Sequence, residues 1–175
     1  MENQEDLAQQ LAAFFDLKVL PIEGGLFTQT YKSREVYPQS GLPARYPNDK
    51  PFGTAIVYLY NTDPDCFSAM HRLPTDEIYH FYLGDPVEMQ LLYPDGRSET
   101  VIFGQDILHG QKVQFVVPRG VWQGSHLKDG GKLALIGTTM APGYEDEDYE
   151  AGEREALIAA YPAAAELITR LTRLE

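Results

Sequence analysis

An imidazole and a carboxylate stand six residues apart in the middle of this chain, at His71 and Glu77. The flanking stretches, Phe67 to Arg72 and Glu77 to Leu83 on either side of Pro74, are aromatic and aliphatic and read as two strands. Side chains alternate along a strand, so Phe67, Ala69, His71 and Leu73 share one face, and Glu77, Tyr79, Phe81 and Leu83 share one face of the next. If both faces look into a barrel, His71 and Glu77 meet across neighbouring strands. Three roles then compete. As a hydrogen-bonded acid–base pair they can move a proton next to a carbonyl group, with burial and the adjacent charge pushing the imidazole pKa in opposite directions. With a third donor they can ligate a divalent transition metal. A buried histidine bonded to a glutamate as plain structure has the same spacing.

Val117-Pro118-Arg119-Gly120-Val121-Trp122-Gln123 is an apolar strand that runs into a tight turn and ends on an amide side chain. His80 and His126 are further imidazoles. In an unbroken strand His80 faces away from Glu77, and only a bulge between them turns it inward; His126 stands in the same relation to Gln123. His109, beside Gly110, reads as exposed. Tyr79 and Phe81 share the face of Glu77, which in a barrel is both core and pocket wall. Glu23, in Glu23-Gly24-Gly25, is a pocket residue, a dimer residue or an exposed turn residue. Arg72 and Arg119 read as outward-facing.

The elements that must position these groups are short. Leu7, Leu11, Phe14 and Phe15 form one apolar stripe of a first helix that Asn3 can cap. Strands follow at Leu26 to Ser33, Thr54 to Tyr60, Val87 to Tyr93, Ser98 to Phe103, Val113 to Val117 and Lys132 to Thr139. Pro94-Asp95-Gly96 is a turn, with proline presetting φ and glycine taking the left-handed position. Residues 37 to 53, with four prolines, read as a long irregular loop. Two helical segments, Gly152 to Tyr161 and Ala163 to Leu174, are split by Pro162. No internal repeat or linker breaks the 175 residues, so a single domain is expected over 1–175, with a barrel core at 17–143 and a helical extension at 150–174.

A net charge of −12 argues against nucleic acid or an anionic membrane as partner. Part of that acid is one run, Glu145 to Glu150, which reads as a solvated connection. Cys66 is the sole cysteine, which excludes an intrachain disulfide and reads as a structural thiol. With no signal peptide and no long apolar run, a cytoplasmic protein is expected.

The spacing of His71, Glu77 and Gly84 resembles the first motif of the cupin superfamily, His-x-His, three or four residues, Glu, six residues, Gly, except that the second histidine's place holds Leu73. Pro118 to Gln123 resembles the second motif, Pro-x-Gly-x-x-His, whose last residue supplies a metal ligand. Gln123 stands in the place of that histidine, and since an amide oxygen is a poor ligand for the softer divalent metals, the resemblance implies a weakly held divalent ion at His71, Glu77 and Gln123, or none. Together with Pro21 to Ser33, Gly84-Asp85-Pro86 and Gly137 to Tyr144, these blocks resemble, in order and from about Leu7 to Tyr149, one small-cupin family labelled as domain of unknown function 985, in which Leu73 and Gln123 look usual. Thr28-Gln29 departs from it, where an arginine and an acid are frequent. The resemblance implies a mainly β, jelly-roll barrel with an open-ended pocket, generally as a homodimer, and no established reaction. The expectation is a small-molecule pocket protein: an isomerase- or epimerase-like enzyme on a sugar or nucleotide-sugar derivative using His71 and Glu77, with a metal-dependent oxygenase or isomerase and a noncatalytic sensor as alternatives. Glu23, Tyr79, His80, Phe81 and Gln123 are its expected ligand contacts. Apolar surface on the first helix and on residues 23 to 33 adds to the expectation of a homodimer.

Overall fold

The structure, a computed structural model, describes residues 4–173, so the cap expected at Asn3 lies outside the described residues. Its strands are β1 (Lys18–Val19), β2 (Leu26–Lys32), β3 (Val36–Tyr37), β4 (Lys50–Pro51), β5 (Thr54–Tyr60), β6 (Phe67–Arg72), β7 (Glu77–Gly84), β8 (Val87–Leu92), β9 (Ser98–Phe103), β10 (Gln114–Val117), β11 (Trp122–Leu127), β12 (Ala134–Met140) and β13 (Glu150–Ala151). The helices are α1 (Gln4–Phe14), α2 (Arg154–Ala160) and α3 (Ala165–Arg170). Two sheets face each other as a jelly roll, one in the order β1-β2-β5-β12-β7-β10 and one in the order β13-β6-β11-β8-β9, while β3 pairs with β4. Every ladder between these strands is antiparallel.

The expected strands form within about two residues of their bounds, and Gly96 takes the left-handed conformation (φ 88°) in the β8–β9 turn. β11 was not foreseen, although it runs through the second sheet between β6 and β8. Its sequence, Trp-Gln-Gly-Ser-His-Leu, lacks the alternation of a half-buried strand because its inward side chains are polar and bonded. Gln123 reaches Glu77 (2.7 Å) and Ser125 meets the Tyr60 hydroxyl (2.7 Å). Gly124 lies under Met70, so near that a Cβ would fall 2.6 Å from its sulfur.

Between the sheets, Tyr79, Phe81, Val87, Met89, Leu91 and Phe103 pack with Val117 and Ile136 as the main core. α1 covers the outer face of the first sheet, where Leu7, Ala8, Leu11, Ala12 and Phe15 meet Val57, Leu59 and Leu135. The two alanines widen the buried arc on one side, so Phe14, expected on the stripe, lies at its margin and is 80% exposed. α2 and α3, separated at Pro162 as expected, cover the other sheet through Leu157, Ile168 and Leu171 against Met70 and Leu92. Among the described residues no helix is long and apolar enough to cross a membrane.

The acidic run is not the solvated connection that its composition suggests. Residues 144 to 149 pass from the end of β12 to β13, which pairs with β6 at Arg72 and His71. Lys50 and Asp148 are both buried and meet at 2.7 Å, and Glu147 stands 3.2 Å from the same ammonium. Asp148 also accepts the backbone N–H of Glu145 (3.0 Å). The long loop before β4 thus ends in a cation that fastens the acidic segment to the barrel.

Candidate functional site

The barrel holds a cavity of about 330 Å³ between β2, β5, β6, β7 and β12, with residues 144 to 149 along one side. His71, Glu77, Glu23 and Ser68 contribute its reactive polar groups, and Tyr58, Tyr60, Tyr79, Tyr144 and Tyr149 its aromatic ones. Lys32 and Glu145, paired at 2.8 Å and partly exposed, lie with Gln29 and Asp146 toward solvent. The segment expected to lie beyond the barrel core, past residue 143, therefore forms part of the cavity wall.

His71 is held on three sides. Its Nδ1–H donates to the carbonyl of Ala69 (2.7 Å), the Gln123 amide nitrogen stands 3.3 Å from Nε2, and its ring stacks on Tyr149 with centroids 5.1 Å apart and planes 20° from parallel. A carbonyl can only accept, so the proton sits on Nδ1; an amide N–H donates, so Nε2 offers its lone pair. This is the neutral imidazole. The other N–H of Gln123 donates to Glu77 Oε2 (2.7 Å). His71 and Glu77 are thus bridged by Gln123 and do not form the direct hydrogen-bonded pair expected from their spacing. The Gln123 Oε1 and Tyr149 Oη atoms are buried without a hydrogen-bond partner among the described residues.

Glu23 enters the cavity from a turn built for close approach. Gly24 (φ 98°) and Gly25 (φ 70°) both take the left-handed region, and a Cβ on Gly25 would fall 1.9 Å from the Tyr58 hydroxyl. That hydroxyl donates to the Gly24 carbonyl (2.8 Å). The Glu23 carbonyl accepts the N–H of Ala69 (2.9 Å), and Arg173 grips the same turn through the carbonyl of Ile22 (2.9 Å). The Glu23 carboxylate accepts a hydrogen bond from Ser68 Oγ (2.6 Å). Burial raises its pKa above the ordinary carboxylate range, and the Glu77 charge adds to the rise; the Ser68 bond acts the other way, as does His71 when it carries a second proton. Burial and these same carboxylates raise the phenols of Tyr60 and Tyr79.

The remaining expected residues fall in different places. Tyr79 lines the cavity, whereas Phe81 packs in the core. Gln123 stands behind His71 and Glu77 and is off the cavity wall. No register shift occurs between Glu77 and Phe81, so His80 keeps to the outer face, beside Thr139 Oγ1 (3.0 Å). His126 is buried against Glu88 (3.1 Å) and the Leu127 carbonyl, and His109 is exposed beside Asp106 (2.7 Å). Arg72 pairs on the outside with Glu150. Burial pushes the Cys66 thiol up to about 11, which leaves it a poor nucleophile. Lys32, Ser68, Tyr58, Tyr60, Tyr144 and Tyr149 were not anticipated; Tyr144 borders the acidic run and Tyr149 lies in it, where the composition masks them.

These residues do not fit a divalent metal. Leu73 brings no donor atom to the cavity wall. Gln123 points N–H groups at both His71 Nε2 and Glu77 Oε2, the two atoms that a cation would need, and its own oxygen faces neither. Among the described residues no three His, Cys, Asp or Glu side chains gather as a ligand set.

A small jelly-roll barrel with an open-ended, acidic cavity is the class that fold and site define. Residues 9–152 match the family described as Cupin superfamily (DUF985), and the protein belongs to it. The uncharacterized protein YML079W of Saccharomyces cerevisiae is 28% identical over 137 residues, a match that covers 73% of this chain and 66% of the yeast protein, just under two thirds. The crystal structure of protein SO0799 from Shewanella oneidensis is 28% identical and covers all of both chains with a TM-score of 0.82. A hypothetical protein from Leishmania major, 24% identical, shares the fold with a TM-score of 0.80 over 95% of this chain and 99% of that one.

Proposed function

We propose that this chain is a small-molecule pocket protein that binds one polar, hydroxyl-bearing molecule of monosaccharide size and exchanges a proton with it through His71 and Glu23, with no metal in the step. The observation that carries the reading is the contrast between two proton-carrying groups on one cavity wall. His71 presents a neutral imidazole whose Nε2 lone pair has only a long amide contact of 3.3 Å. Glu23 is a carboxyl group that burial holds protonated further up the pH scale than usual. A lone-pair acceptor and a proton-bearing carboxyl group on one cavity wall can divide the base and acid roles between them. Glu77 acts at one remove. It fixes one N–H of Gln123 and so aims the other at His71.

The cavity of about 330 Å³ lies at the small end of ligand pockets, near 300–1,000 Å³ in general. It suits a single sugar better than a nucleotide sugar, whose diphosphate its carboxylates would repel. Proton removal next to a carbonyl, as in isomerisation or epimerisation, is the reaction class that two such groups support. The test is solvent exchange: aldoses and ketoses are incubated with the protein in D₂O and followed by NMR. Deuterium entering beside the carbonyl, and failing to enter with His71→Asn, supports the reading. Saturable binding without exchange leaves a noncatalytic binder, and no binding by any sugar overturns it.

The same proposal has two copies pairing. β10 is an edge strand with Val116 exposed, Val113 just before it is exposed as well, and Leu108 in the preceding turn is 95% exposed. Light scattering that gives a monomer at micromolar concentration defeats this part alone.

A further inference from the structure

We propose that the molecule held in this cavity carries a positive charge, as a small amine-bearing polyol of the amino-sugar class. This rests on the cavity being the ligand site and goes beyond it by assigning the charge of the ligand. The wall carries four carboxylates, Glu23, Glu77, Glu145 and Asp146, against one ammonium, Lys32. Lys32 is already matched to Glu145 at 2.8 Å. Deeper in, Glu23 and Glu77 have only uncharged donors, the Ser68 hydroxyl at 2.6 Å and the Gln123 amide at 2.7 Å. His71, with its proton on Nδ1 bonded to Ala69, adds a charge only when Nε2 takes up a second proton.

Among the described residues neither Glu23 nor Glu77 forms an ion pair with a lysine or arginine. Yet Glu77 is only 6% exposed. A buried carboxylate without a counter-charge is costly, and a ligand that supplies the counter-charge recovers that cost on binding. The same fold shows the alternative at Asp148, where Lys50 supplies the charge from within the chain (2.7 Å).

The rest of the wall suits a cation as well. Tyrosine rings present negative π faces that attract ammonium groups. The buried Tyr149 hydroxyl has no hydrogen-bond partner among the described residues and can accept from a ligand N–H or O–H. A phosphorylated or carboxylated ligand would meet like charge on this wall, and a neutral sugar would leave both inner carboxylates uncompensated. Because an arriving ammonium favours the charged form of Glu23, binding should also expel a proton into the buffer.

Calorimetric titration of the full chain, at pH 6.5, low salt and in EDTA, compares three probes of one shape: glucosamine, glucose and glucose 6-phosphate. Glucosamine should bind at least about tenfold more tightly than glucose, and glucose 6-phosphate most weakly. The apparent enthalpy for glucosamine should change with the buffer's ionisation enthalpy. In Glu23→Gln and Glu77→Gln the preference should shrink to within about threefold while glucose binding persists. If glucose binds as tightly as glucosamine, or the phosphate binds best, the charge assignment fails and the cavity reading stands. If none of the three binds, both fail.

Discussion

Asp148 is a buried carboxylate and Glu23 a half-buried one, in segments that both border the barrel cavity, and the supply of charge around them differs. Asp148 has a matched ammonium, Lys50, at 2.7 Å and a backbone N–H at 3.0 Å. Glu23 has one hydroxyl and no cation among the described residues. The first arrangement pins the carboxylate in place and fastens the acidic segment to β4. The second leaves a carboxyl group whose protonation responds to whatever enters the cavity. Burial alone does not distinguish structure from function here; the supply of counter-charge does.

The largest expected effect comes from breaking the matched side. Lys50→Met strands Asp148 without its cation and should cost about 3–5 kcal/mol in chemical denaturation. Adding Asp148→Asn should recover at least half of that loss, since the stranded charge is then gone. Equal losses in the single and double variants would mean that packing around Lys50, and not charge, fastens the segment.

Gly25→Ala tests the unmatched side through its geometry. A Cβ 1.9 Å from the Tyr58 hydroxyl, on a residue with φ of 70°, should cost about 1–3 kcal/mol and lower the melting temperature. A variant as stable as the parent would show that the turn presenting Glu23 yields easily.

Glu23→Gln should act with the opposite sign to Lys50→Met. The folded state holds the Glu23 proton more tightly than the unfolded chain does, so the parent is favoured below the ordinary carboxylate pKa. That advantage is lost as pH rises through the raised folded value. Glutamine keeps the acceptor for Ser68 and never ionises. The variant should therefore melt about 2–5 °C above the parent near pH 8, with the difference closing toward pH 4. A gain that is the same at both pH values would remove ionisation as its cause.

The smallest change is expected for Tyr149→Phe. It deletes a buried hydroxyl without a partner and keeps the ring stacked on His71, so stability should stay within about 0.5 kcal/mol or rise slightly. A clear loss would mean that the hydroxyl has a partner after all.

The strands were legible where β-branched and aromatic residues ran together, as at β5, or where a turn sequence bounded them, as at β8 and β9, and the helices wherever a stripe or a proline marked them. β11 was not, because Gln123, Ser125 and His126 are buried polar residues whose partners lie on other strands or beyond their immediate neighbours. The site was half legible. Parity along β6 and β7 put His71, Glu77 and Tyr79 toward the interior, and the absence of a bulge kept His80 out, as an unbroken strand requires. Glu23 could be placed on a glycine turn but not in the cavity, since its position depends on Tyr58, Ala69 and Arg173, which are far from it in sequence.

The sequence by itself determined a single mainly β barrel, its helices at either end, and the family that its ordered blocks match. These follow from periodicity, turn residues and spacing, all of them local. Only the tertiary structure decided that Gln123 separates His71 from Glu77, that Lys50 fastens the acidic run, and that Glu23 faces the cavity without a counter-charge. Each of those depends on distances between residues 34 to 98 positions apart or on a turn pinned by remote strands, and charge balance in a cavity is a sum over all of them.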